Sequence, residues 1–299
     1  MVKYKKYVIW VFALSYLYAA FFYLMGVRAG TTPYLVMNIG YMWIPGLIAV
    51  AFWIREKRPL KTWGILVKPN KWFVFAWLIF PVLIFINIPV STLWPGASFS
   101  LYMTDFIAQY ENMLPPDELE AMREQLQQNP LLPMGLIVVQ GLIAALTINL
   151  AAALGEELGW RGYLYERLIH GGFWKCSLIT GIIWGFWHAP LILQGHNYPA
   201  FPVAGVFLMV ILTILLSPLF TLIRMRTLSA VAAGIAHGAL NAFAGISVMY
   251  VAGGHILWNG FHQFSGFLLL SVVNLLIYLA SKSKPELLSA KIHENGSFH

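Results

Sequence analysis

The sequence contains very little charge. Only 10% of its 299 residues are charged, against roughly 25% in a typical soluble domain, while 59% are hydrophobic. A stretch of about 20 mostly apolar residues is long enough to cross the hydrocarbon core of a membrane as a helix, and such stretches recur along the whole chain. The shortage of charge therefore excludes a soluble globular protein and indicates a multi-pass membrane protein.

Cysteine and cleavage signals are also scarce. Cys176 is the single cysteine, so an intramolecular disulfide and a cysteine-based metal site are both excluded. The apolar run that follows Lys3, Lys5 and Lys6 has no A-x-A cleavage signal. Because the run is about 20 residues long, we expect a retained first span and not a signal peptide.

The apolar stretches predict an all-α polytopic membrane protein, a bundle of about eight transmembrane helices in a single domain of residues 1–299. The spans are expected near residues 7–25, 34–54, 72–94, 132–154, 176–194, 201–223, 229–252 and 261–280. The fourth, fifth and seventh contain Gly, Thr, Asn, Ser or His, and we expect these three to face other helices more than lipid.

The basic residues predict the orientation, because short loops rich in Lys and Arg stay on the cytoplasmic side. With both termini cytoplasmic, all of the 19 basic residues except Arg28 and Arg123 fall in inside segments. Half of the twelve acidic residues fall in one external loop at about 95–131. The net charge of +7 then reflects topology and anionic membrane lipids, and it gives no reason to expect a nucleic-acid partner.

The loop at 95–131 contains the polar stretch "PPDELEAMREQLQQNP". Prolines and acids at its start, a narrow apolar stripe at Leu119, Met122 and Leu126, and Asn129 before a proline predict a short helix. We expect this helix to lie on the outer membrane face and to cover the ends of the spans, although a role in admitting substrate is an alternative.

Ionisable groups within the spans are the candidates for function, because each costs about 3 kcal/mol to insert. In the first cluster, Glu157 and Arg161 are four apart and can pair on one helical face. Glu156 is turned about 100° away from them. The predicted span ends at Leu154, so the helix must continue past Glu156 if this cluster lies deep. The alternative is that all three side chains reach to the cytoplasmic interface.

The second and third clusters lie on two later spans. Trp184 and His188 are four apart, and Pro190 is expected to end or kink their helix after His188. His237 and Asn241 are also four apart, in a helix of small residues that is expected to be central in the bundle. For both histidines the alternative is a structural hydrogen bond between helices.

The combined set of side chains fits two versions of hydrolysis. In the first, Glu156 takes a proton from water and His188 orients that water, while His237 and Asn241 donate hydrogen bonds to the oxyanion of an attacked amide. In the second, Glu156, His188 and His237 bind a divalent metal such as zinc, with water as a further ligand. The H-E-x-x-H signature is absent, and the sequence leaves both versions open.

Three motifs resemble those of a known family. The chain has "EELGWR" at 156–161, "WGFWH" at 184–188 and "HGALN" at 237–241. These resemble, in order, the E-E-x-x-x-R, F-x-x-x-H and H-x-x-x-N motifs of the CAAX-protease and bacteriocin-processing family of intramembrane endopeptidases. The resemblance covers about 132–252, which would be the catalytic half, and the first spans share only their hydrophobicity with the family. Trp184 stands where the family pattern has Phe.

The resemblance implies an eight-helix membrane protease whose site opens toward the cytoplasmic leaflet. Glu156 and His188 would activate water, His237 and Asn241 would form the oxyanion hole, and Glu157 with Arg161 would brace the site. The implied substrates are prenylated C-terminal tails or other membrane-associated peptides and lipidated proteins. A prokaryotic plasma membrane is the expected location.

Two other classes of protein remain as alternatives. A non-catalytic membrane immunity or scaffold protein is the first. A transporter is the second, and it is less favoured because the polar clusters all lie in the second half of the chain, without the symmetry of matched halves. His196, His255 and His262 are expected in external loops or at their edges, as solvated residues without a role at the site.

Overall fold

The computed structural model describes residues 3–111 and 114–288, and it confirms the predicted all-α polytopic fold. In these ranges the helices are α1 (Lys3–Leu24), α2 (Thr32–Arg55), α3 (Lys71–Ser91), α4 (Thr104–Ala108), α5 (Pro116–Gln128), α6 (Leu131–Leu146), α7 (Ile148–Glu157), α8 (Tyr165–Leu168), α9 (Phe173–Trp187), α10 (Ala189–Leu193), α11 (Pro202–Thr227), α12 (Ala230–Phe243), α13 (Ile246–Met249) and α14 (Phe264–Ser283). Three residues near the C-terminus, which we expect to be cytoplasmic, lie outside the described residues: Lys291, His293 and His299.

The predicted number of spans agrees with the helices. Within the described ranges, 7 helices are long and apolar enough to cross a membrane, or up to 8 if α5 and α6, which meet at 93°, are taken as one bent span. The predicted fourth span consists of α6 and α7, which are separated at Thr147 (φ −125°, ψ −102°). Its predicted end at Leu154 is wrong, because α7 continues to Glu157.

A π-helical segment, Leu158–Leu164, carries the chain from α7 into α8. The turns of a π-helix are wider than those of an α-helix, and such segments occur often at functional sites. Because helical structure continues to Leu168, Glu156 lies well inside the bundle. The predicted continuation of this helix beyond Glu156 is thus confirmed.

The loop after α2 meets α8 and the α11–α12 junction at one end of the bundle, which we call the basic end. Glu56, directly after α2, binds Arg167. The backbone N–H of Ala230 donates to the carbonyl of Gly64 at 2.7 Å. If eight spans cross the membrane in alternating directions, the segments joined by these contacts all lie on the same side of it.

The connections after α3 and α13 meet at the opposite end, which we call the acidic end. Two-residue strands there, β1 (Ser98–Phe99) and β2 (Val251–Ala252), pair antiparallel. Asp105 accepts a hydrogen bond from the Gly253 N–H at 2.7 Å. The predicted helix of the polar loop is confirmed as α5, whose Leu119 and Leu126 are buried.

Small residues bring the central helices close together. A Cβ atom at Gly155 would lie 2.6 Å from the Cα of Trp43 in α2, so α2 and α7 can make this contact only with glycine at that position. Most residues of α12 are buried, as its small side chains predict. The close contact at Gly155 fixes the position of the two glutamates that follow it.

Candidate active site

Glu156 is held in the bundle by two indole groups. Its side chain is 2% exposed, and its Oε2 accepts a hydrogen bond from Trp184 Nε1 at 2.6 Å and a longer one from Trp160 Nε1 at 3.4 Å. The burial does not fit the alternative of an interfacial glutamate. Trp160 lies four residues after Glu156 and on the same helical face, so the spacing in the sequence could have indicated this contact.

Glu157 pairs with two partners on the neighbouring face. Arg161 Nη1 lies 3.1 Å from its Oε1, and His237 Nδ1 lies 2.9 Å from the same atom. Arg161 also donates to Ser217 Oγ at 3.3 Å. Burying a charge is costly unless it is paired and hydrogen-bonded. Each of these buried side chains therefore needs the others as partners.

Aromatic rings enclose the Arg161 guanidinium. Its central carbon lies 4.6 Å from the centroid of the Trp184 ring and 4.5 Å from that of Phe220, within the range of a cation–π interaction. Phe220 and Ser217 belong to α11, whose apolar sequence gave no indication that it contributes to the site. Burial of Arg161, at 1% exposure, again excludes a snorkelling side chain.

The hydrogen bonds of the two histidines determine which ring nitrogens are free. His188 Nδ1 lies 2.8 Å from the carbonyl oxygen of Trp184, which can only accept, so Nδ1 carries the proton. His237 Nδ1 donates in the same way to the Glu157 carboxylate. In the neutral form of each ring, Nε2 therefore has a free lone pair.

Trp184 connects the three polar clusters. Its indole N–H reaches Glu156, its carbonyl accepts from His188, and its ring lies 5.4 Å from that of His237. Asn241 behaves differently: it is exposed and makes no hydrogen bond to the described residues. The structure thus brings the predicted clusters together around Trp184 and leaves Asn241 one helical turn away from His237.

The helix break predicted after His188 is present. α9 ends at Trp187 and α10 begins at Ala189, with Pro190 at its second position. A proline in that position is compatible with the first turn of a helix but not with the interior of a continuous one. His188 is the residue at which the two helices join.

His196 and His262 lie in connecting segments, as expected, but their side chains are less exposed than those of fully solvated residues. Both are half-buried, whereas His255 is exposed as expected. Burial lowers the pKa of His196 and that of His262 from the ordinary value to about 4, since an apolar environment disfavours the charged form. Both histidines lie in the connections at the acidic end, and loop sequence alone did not show that these connections fold back onto the bundle.

The described residues contain no preformed ligand group for the metal-dependent version of hydrolysis. Within residues 3–111 and 114–288, no three or more His, Cys, Asp or Glu side chains are arranged to hold a metal ion. Oε2 of Glu156, one of the three proposed ligands, already accepts from two indoles. The zinc site stays a prediction from the residue types.

Fold and geometry together define a multi-pass α-helical membrane protein with a buried carboxylate and two histidines. Residues 138–243, which contain all three motifs, match the sequence model of the family described as Type II CAAX prenyl endopeptidase Rce1-like. A stretch of 57 residues is 42% identical to CAAX prenyl protease 2 of Methanococcus maripaludis, over 19% of this chain and 21% of that protein. The predicted resemblance to the CAAX-protease and bacteriocin-processing family is therefore confirmed. The chain spans about a fifth of the length of that curated relative.

Proposed function

We propose that the protein is an intramembrane endopeptidase that hydrolyses a peptide bond in membrane-associated peptides, prenylated C-terminal tails among them. One observation carries the proposal. A buried glutamate and two histidines with free Nε2 atoms meet at Trp184, inside the segment that matches the CAAX endopeptidase family.

Glu156 is the general base of the proposed reaction. Its Oε2 is occupied by the indole donors, while its Oε1 accepts no hydrogen bond from the described residues. Oε1 is therefore available to take a proton from water, and His188 Nε2 orients the water by accepting its second hydrogen. The water oxygen adds to the amide carbonyl carbon, and the proton then passes from Glu156 to the leaving amide nitrogen as the C–N bond breaks.

His237 stabilises the oxyanion that forms on the carbonyl oxygen. Its Nδ1 is held by the Glu157 carboxylate, which leaves Nε2 to donate to the oxyanion when the ring carries a proton on both nitrogens. Asn241 supplies a second donor once substrate is bound, and its exposed side chain has no competing partner among the described residues. Arg161 holds the Glu157 side chain in position through the 3.1 Å contact between their charged groups.

The basic end is the cytoplasmic one in this proposal, and the membrane is a prokaryotic plasma membrane. His237 lies seven residues into α12, which places the site about 10 Å from that end at a rise of 1.5 Å per residue. Both termini are then cytoplasmic, and a substrate reaches the site from the cytoplasmic leaflet.

The proposal is tested by incubating the purified protein in detergent with a panel of peptides, prenylated and unprenylated, and identifying the products by mass spectrometry. We expect cleavage of at least one peptide at an internal bond. Cleavage that survives a chelator, in protein with no bound metal by elemental analysis, supports the version without metal, whereas chelator-sensitive cleavage supports zinc. If no peptide is cleaved, the enzyme proposal fails. Proton uptake into proteoliposomes would then favour a transporter, and its absence a scaffold or immunity protein.

A further inference from the structure

The helix break at His188 removes the normal partners of two backbone carbonyls. In a continuous helix, Phe186 O would accept from the N–H of residue 190, but Pro190 has none. Trp187 O would accept from the N–H of Leu191, but that N–H donates to His188 O at 3.0 Å. Both carbonyls directly precede the histidine that orients water, and an unpaired carbonyl inside a bundle costs free energy.

Two tyrosines from the first two helices donate to these carbonyls. Tyr16 of α1 donates its hydroxyl to Phe186 O at 2.7 Å. Tyr41 of α2 donates to Trp187 O at 2.6 Å, and its ring lies 4.4 Å from that of Trp187. Tyr41 is fully buried, whereas Tyr16 is 37% exposed.

A third contact fixes the same turn. Trp187 Nε1 donates to Ser15 Oγ at 2.8 Å. The last turn of α9 is thus attached to α1 and α2 through both the backbone and the side chain of the residue that precedes His188. These helices lie outside the segment that matches the endopeptidase family, and they are the part of the chain for which the sequence indicated no role in the site.

We propose that Tyr41, assisted by Tyr16, is a positioning residue that holds the broken end of α9 so that His188 presents its Nε2 to the water. The inference rests on the proposed function, because it assigns Tyr41 an effect through His188. The imidazole is fixed from within its own helix by the Trp184 carbonyl. A shift or rotation of the last turn of α9 therefore moves the ring with it, and a displacement of about 1 Å is enough to lower a rate up to a hundredfold.

The test compares Tyr41→Phe with Tyr34→Phe. Both positions are buried in α2, but the Tyr34 hydroxyl has no hydrogen-bond partner, so the control removes the same atom without removing a contact. With a peptide that the wild type cleaves, we expect Tyr41→Phe to lower kcat about tenfold and to leave KM within about twofold. Tyr34→Phe is expected to cleave at the wild-type rate, and Tyr16→Phe to show a smaller loss than Tyr41→Phe.

Nuclear magnetic resonance of protein labelled at histidine supplies a readout that does not depend on cleavage. The His188 signals, assigned from their loss in His188→Gln, are expected to shift in Tyr41→Phe and to stay unchanged in Tyr34→Phe. Unchanged signals together with an unchanged kcat in Tyr41→Phe would overturn the inference, as would an equal effect of Tyr34→Phe. If the wild type cleaves nothing, the proposed function fails, and the His188 signals still decide whether Tyr41 positions this ring. Should Tyr41→Phe not fold, Tyr16→Phe is measured in the same two ways.

Discussion

Trp184 stands where the family motif has phenylalanine. The tryptophan adds an indole N–H, which can donate a hydrogen bond. A phenylalanine would keep the ring contacts with His237 and Arg161 but would have no donor for Glu156. The 2.6 Å hydrogen bond from Trp184 holds Oε2 of Glu156, while Oε1 accepts no hydrogen bond from the described residues. Electrostatic preorganisation of this kind reduces the reorientation needed during the reaction.

We expect Trp184→Phe to lower kcat about tenfold, because the orientation of Glu156 then depends on the longer bond from Trp160. The thermal unfolding midpoint should also fall, because the buried Glu156 side chain loses its shorter hydrogen bond. The check is the rate of peptide hydrolysis at saturating substrate, together with the thermal unfolding midpoint. Trp160→Phe is the matched comparison and should lose less. A larger loss in Trp160→Phe than in Trp184→Phe would show that the roles of the two indoles are reversed.

Among the helices, the contact between α9 and α11 determines where Trp184 lies. Thr213 Oγ1 donates to the carbonyl of Gly181 at 2.8 Å, and the backbones are close because α9 has glycine at two positions one turn apart. A Cβ atom at Gly185 would lie 2.5 Å from the Cα of Val210. Gly185 follows Trp184 directly, so separating these helices would displace the indole.

Gly185→Ala is therefore expected to destabilise the protein by about 1–3 kcal/mol, the usual cost of overpacking, and to lower hydrolytic activity. The measurements are the thermal unfolding midpoint in detergent and the rate of cleavage. Gly135→Ala in α6 is the control, because a Cβ there would meet no atom within 4 Å and alanine favours a helix. Equal midpoints for the two variants would contradict the close packing of α9 on α11.

The sequence predicted the local pairing and the helix break better than it predicted which helices surround them. Spacing of four residues placed Glu157 with Arg161, and the proline placed the break after His188, because both depend only on local helical geometry. The role of α11 was missed. It is the most apolar of the candidate spans and also the most buried, and hydropathy cannot distinguish a helix that faces lipid from one that faces other helices.

At the scale of the whole molecule, the basic and acidic ends give the proposed orientation a direct test. Cys176 is buried, so it contributes little background in labelling by an impermeant maleimide. We expect Glu118→Cys, on α5 at the acidic end, to be labelled in intact cells. Lys68→Cys, at the basic end, should be labelled only after the membrane is permeabilised. Labelling in the reverse pattern would place the basic end and the site on the outer side.

Glu156 is the proposed general base, and the initial rate of peptide hydrolysis by Glu156→Gln tests that role most directly. Glutamine keeps the size of the side chain and an oxygen that can accept from Trp184, but it cannot take a proton from water. The rate should fall at least about a hundredfold, as expected for loss of a general base. Glu166→Gln, in the same stretch of chain but at the basic end beside Arg58 and Arg167, should keep most of its activity. Hydrolysis by Glu156→Gln at the wild-type rate would show that Glu156 is not the general base.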